Sequence, residues 1–164
     1  YKFVRNIDEG GYTKNRIVNF DYLRNKALIN DLKENTKSTI DIDPNIKDLV
    51  SAYYYLRDRY DTESIQEGDV LELNIFFDSE VFLFKLKYLG RDTINTKFGK
   101  IKCIKFRPYV MAGRVFKEEE SLTLWVTADK NKVPMRIKAD LRVGSLRADL
   151  DALKGLKHPF EIQL

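Results

Sequence analysis

Few side chains in this 164-residue chain have the chemistry for covalent work. His158 is the sole histidine and Cys103 the sole cysteine, so a nucleophile–base pair would have to be built on one of them. His158 stands before Pro159 in a tail without strand or helix pattern, which makes it an exposed side chain rather than a rigidly held base. Cys103, between Lys102 and Ile104, reads as a small buried hydrophobe, because strand alternation aims both flanking side chains away from its sulfur. One cysteine and one histidine make no zinc spacing. Gly10-Gly11 is a hairpin tip rather than the mouth of a phosphate loop. Asp41 and Asp43 lack the glycine and closing glutamate of a calcium loop. Glu118, Glu119 and Glu120 cluster, as do Asp149 and Asp151, but glycosidase chemistry needs two carboxyls across a sugar cleft. In a chain that is 33% charged, such pairs arise without a cleft. The expectation is no catalytic residue, no metal, no cofactor and no enzyme.

The elements that must position everything else are strands. Hydrophobic residues make up 43% of the chain, and Tyr and Phe together supply 19 residues, which suits sheet packing. From residue 121 to 142 apolar and polar side chains alternate around a turn: Leu122, Leu124 and Val126, then Val133, Met135, Ile137, Ala139 and Leu141. Period two over that length predicts an antiparallel sheet with one apolar and one wet face. Leu124 then faces the core and Trp125 the wet side, where Arg136 or Lys138 stems cover it in part. Further strands are read at residues 2–5, 12–20, 21–32, 37–42, 71–77, 82–88, 93–97 and 101–107. Gly90 and Asp92 mark a turn, Pro108 a strand end, residues 109–116 a loop, and Gly144-Ser145 a bulge. One helix, from Pro44 to Tyr60 with Asp43 as its N-cap, interrupts them. Its stripe of Ile46, Leu49, Val50, Tyr53, Leu56 and Tyr60 is laid across the apolar sheet face. The fold class is therefore mainly β with one prominent helix, an antiparallel meander forming a curved sheet, half-barrel or barrel, in a single domain.

The net charge of +4 is interleaved with acidic residues rather than gathered on one face, which argues against a nucleic-acid partner. No apolar run reaches membrane-spanning length. One cysteine fits a reducing or an oxidising compartment. The absence of Met at residue 1 suggests a processed or partial chain with any export signal upstream.

Two readings of the apolar face stay open. In one, Tyr53, Leu73, Ile75, Phe77, Phe82, Phe84 and Leu86 line a site for a lipid or other amphipathic ligand between helix and sheet. In the other the same residues fill a core. A different class of function, a protein-interaction or scaffold module working through exposed strand edges, is the alternative.

The segments Trp125-Val126-Thr127, Asp129, Val133-Pro134-Met135-Arg136-Ile137 and Val143-Gly144-Ser145-Leu146-Arg147-Ala148-Asp149-Leu150 resemble the closing strands of an uncharacterised family of exported Gram-negative envelope proteins. The resemblance implies a periplasmic or outer-envelope location, a curved antiparallel sheet around a helix, and an outline similar to half-barrel lipoprotein carriers. Members of that family are longer, so this chain would correspond to the C-terminal two-thirds of one. No activity, and hence no catalytic residue, comes with it.

Overall fold

The computed structural model describes residues 1–110, 122–140 and 143–162. Among these the chain forms ten strands and one helix in two compact units. The first comprises residues 1–52 and 74–82, the second residues 53–73 and those from 83 onward. The division runs through the helix and through one hairpin. The protein is mainly β, antiparallel throughout its two sheets, with one helix. Each sheet is an open meander in chain order, so the expected meander is shared between two sheets.

In the first unit β1 (Lys2–Glu9), β2 (Tyr12–Asp21), β3 (Lys26–Asp31) and β4 (Thr36–Asp41) pair in that order. The stretch 21–32, expected to be one strand, is broken by a turn at its start. Asp21 accepts the amides of Leu23 and Arg24, and Asn25 takes a positive φ. Asp31 does the same for Lys33 and Glu34 before Asn35. These are two copies of one aspartate-to-asparagine turn, since both residue types hydrogen-bond their own backbone and tolerate the left-handed region. Val18, Phe20, Ala27, Ile29, Ile42, Ile46 and Phe76 form the core of this unit. Phe20 and Phe76 meet edge to face at 5.7 Å.

The helix α1 spans Leu49–Arg57, shorter than the expected Pro44–Tyr60. Asn45 takes a positive φ and Lys47 bridges to Ile75 as extended chain, so the helix cannot begin before them. Asp48, fully buried, is its N-cap: one carboxylate oxygen accepts the amides of Val50 (2.9 Å) and Ser51 (3.2 Å). The buried stripe is Ala52 and Leu56, while Leu49 and Val50, expected in it, are exposed.

The second sheet holds β5 (Val70–Phe77), β6 (Glu80–Thr96), β7 (Gly99–Val110), β8 (Leu122–Thr127), β9 (Pro134–Asp140) and β10 (Ser145–Asp149), again in sequence order. Gly90 is not a turn. It sits at a bulge where the β6–β7 register shifts between Tyr88 and Arg91, and β6 runs straight through. Nor does Pro108 end its strand: it pairs with Leu86 on one side, and among the described residues the pairing of β7 with β8 runs from Cys103 to Phe106. Proline is tolerated at such an edge position. Gly144, with positive φ, belongs to the connection between β9 and β10 rather than to a bulge within a strand. Of the loop expected at residues 109–116, Tyr109 and Val110 instead continue β7, while residues 111–116, Glu118, Glu119, Glu120 and Leu141 lie outside the described residues.

Candidate functional site

Antiparallel pairing places directly opposed side chains on the same face of a sheet. Following the register across the second sheet gives one row, Tyr88, Phe106, Leu124, Ile137 and Ala148, with every member apolar or aromatic. Leu122, Ala139 and Leu146 form a second row beside it. Exposure rises along these rows. Phe106 is 0% exposed, Leu124 half-buried, Ile137 39% and Leu146 65% exposed. At the buried end the ring of Tyr60 sits 5.2 Å from Phe106, and Tyr88 flanks it at 5.6 Å.

The segment 53–60 is held there by the turn before β9. The Tyr53 hydroxyl donates to the Lys132 carbonyl at 2.8 Å, and Lys132 Nζ donates to the carbonyls of Arg57 and Tyr60. The same ammonium lies 4.4 Å from the centre of the Tyr60 ring, a cation–π contact. Burial pulls Lys132 below its usual value and pushes the Tyr53 and Tyr60 hydroxyls far above the ordinary phenol range. The buried Tyr60 hydroxyl has no hydrogen-bond partner among the described residues. An unpaired buried hydroxyl costs about 1–3 kcal/mol.

The opposite face is wet only in part, along Thr123, Lys138 and Arg147. A register shift between Trp125 and Val126 makes Met135 the extra residue of a bulge, out of alternation with Ile137. Met135 joins Ile94, Ile101, Cys103 and Val133 in a second core, against which Trp125, Leu150, Leu156 and Phe160 pack. Trp125 lies opposite Arg136, yet its indole N–H donates to Asp92 at 2.9 Å. Trp125 is half-buried with Arg136 beside it, as expected, but the face also carries a core that alternation did not indicate. Burial raises the Cys103 thiol to about 12. His158 is no free tail residue either, since its backbone N–H and carbonyl are both bonded to the side chain of Asn131.

The seven residues expected to line a ligand site are divided between the units. Phe84 and Leu86 lie buried on the Tyr60 side of the second sheet, opposite Val110 and Pro108. Tyr53 is half-buried on the segment beside it, and Leu73 is half-buried in β5. Ile75, Phe77 and Phe82 belong to the first unit, where Ile75 is buried and the Arg5 guanidinium covers Phe77 at 4.6 Å. The bare apolar end, Ile137, Ala139, Leu146 and Ala148, was not among them. Its signal was the alternation in β9 and β10, which needed the register to reveal a shared surface.

A cleft of about 670 Å³ is lined by Arg91, Lys102, Asp129 and Glu161 among others. Asp129 accepts Thr127 Oγ1 at 2.6 Å and the amides of Asn131 and Lys132. In the first unit Asp78, at the tip of the β5–β6 hairpin, accepts Arg5 at 2.7 Å and Lys14 at 2.6 Å, with Arg16 at 3.5 Å. Burial alone would raise the Asp78 carboxyl, but the bonds from Lys14 and Arg5 outweigh it and hold it below the ordinary value. No three metal-ligating side chains converge among the described residues.

Fold and face together define an antiparallel β protein with an apolar sheet surface half covered by its own aromatic segment. More narrowly, the chain belongs to the family described as proteins of unknown function (DUF3108), whose model matches residues 1–151. Comparison with curated proteins and with solved structures returned no match. None of the described helices is long and apolar enough to cross a membrane.

Proposed function

We infer that this is a non-enzymatic domain of the cell envelope that binds a hydrophobic or amphipathic ligand on the Tyr60 side of its second sheet. The observation carrying the reading is the graded row from Phe106 to Ala148, buried at one end and bare at the other. The filled half, with Phe84 and Leu86, is core. The bare half, Ile137 and Leu146, is where an acyl or other apolar group lies. The envelope location rests on the resemblance of the closing strands to exported proteins.

The test titrates delipidated protein with a fluorescent fatty acid. Saturable binding is expected, lost in Ile137→Glu and Leu146→Glu, whose exposed positions leave the fold intact. Tyr60→Phe should leave binding intact and stability unchanged or higher by about 1 kcal/mol, because it deletes an unpaired hydroxyl from the filled end. Absence of saturable binding to the folded wild type removes this reading. A second reading, an interaction module, is favoured by β10, an edge strand whose five residues are all exposed. A stable partner recovered from a periplasmic extract, lost on mutating β10, would favour it.

A further inference from the structure

The other face of the second sheet carries an inference independent of that reading. Residues 151–162 follow it without joining a ladder, bending at Lys157 and His158, and from Leu156 their burial alternates: Leu156, His158 and Phe160 half-buried, Lys157, Pro159 and Glu161 exposed. Three devices seat them. Phe160 packs edge to face on Phe98 at 5.9 Å, and with Leu156 it covers the core around Cys103. The Asn131 side chain, 1% exposed, is steadied by a bond to Asp129 (3.3 Å) and reads the backbone of the tail: its amide donates to the carbonyls of His158 (3.0 Å) and Pro159 (2.9 Å), and its oxygen accepts the His158 N–H (3.0 Å). Ile162 lies where a Cβ on Gly99 would be, 2.8 Å from its Cγ2, so this glycine admits it. Backbone read by a fixed amide, with apolar anchors between, is how extended peptides are recognised. The segment also lies past residue 151, where the family match stops.

We propose that this face is a peptide-binding groove, filled here in cis by residues 156–162. Its ligand class is a peptide without helix, bent between two bulky apolar side chains four residues apart, as Leu156 and Phe160 are. The backbone between them is presented to Asn131.

Cys103, 1% exposed beneath the tail, is the reporter in the full chain. Labelling by a thiol reagent should be slow in the wild type and about tenfold or more faster in Phe160→Ala, because losing an anchor lowers the free energy of local opening. A synthetic peptide of residues 152–162, added in excess, should restore protection; one with alanine at both anchor positions should not. Faster labelling that the peptide leaves unchanged would overturn the proposal, making the tail an inseparable part of the core. Labelling as slow as wild type would also overturn it. So would protection that rises with protein concentration alone, which would assign the groove to another copy's tail. If Phe160→Ala does not fold, Ile162→Glu, at a half-exposed position facing Gly99, takes its place with the same readings.

Discussion

At Trp125 the indole meets two demands at once: its rings pack against the core around Cys103, and its one N–H reaches Asp92. Leu124, its neighbour, points to the other face and is only half covered. Truncating Trp125 to alanine should therefore cost about 3 kcal/mol, against about 1–2 kcal/mol for Leu124→Ala. Urea melts of both variants check this ordering, the reverse of what alternation alone suggests. Alternation assigned the two residues to opposite faces correctly, yet did not show that the Trp125 face has a core of its own. That depended on a tail whose residues carry little periodic pattern and which packs by tertiary contact alone. His158 was misread for the same reason, since the bond that fixes it comes from Asn131, 27 residues away.

Among the elements, the helix and the β5–β6 hairpin each hang on one aspartate. Asp48 caps the helix from a fully buried position and also accepts the Tyr1 hydroxyl at 2.5 Å. Asp48→Ala should cost about 1–2 kcal/mol, whereas Asp43→Ala, outside the helix, should stay within about 0.5 kcal/mol; thermal melts separate the two. Asp43-Pro44 carries a strong start signal, and it lost because Asn45 turns the chain before a helical turn can form. The hairpin tip places Asp78 and Ser79 at positive φ, a conformation glycine or asparagine would adopt more readily. Its bonds to Arg5 and Lys14 hold it there. The Asp78 carboxyl is lowered in the folded chain relative to an unfolded value of about 3.9. Its contribution is therefore complete above about pH 4 and disappears as pH falls through the lower, folded value. Asp78→Asn should cost roughly 1 kcal/mol at neutral pH, discounted because the pair is partly exposed. Its deficit relative to wild type should shrink in acid. Chemical denaturation at pH 7 and near pH 3 measures both; a deficit unchanged between them would mean the carboxylate charge does not hold the tip.

For the molecule as a whole, period-two alternation was enough to give the class: mainly β, antiparallel, one helix. The partition into two sheets was not legible, because turns such as Gly10-Gly11 look alike whether the next strand continues a sheet or begins another. The bulges at Gly90 and Met135 escaped notice too, each being one residue of slippage that only a partner strand reveals. The candidate ligand face shared that limit: its members lie on five strands, and no stretch of sequence shows them side by side. The tail has a consequence in time rather than space. Synthesis proceeds from the N-terminus, so the sheet around Cys103 is made before Leu156 and Phe160 exist to cover it. Until those residues emerge, a growing chain carries its one thiol and an apolar surface uncovered. The last step of folding on that side therefore waits for translation to pass residue 160, and any chaperone or thiol-modifying factor has its opportunity before then.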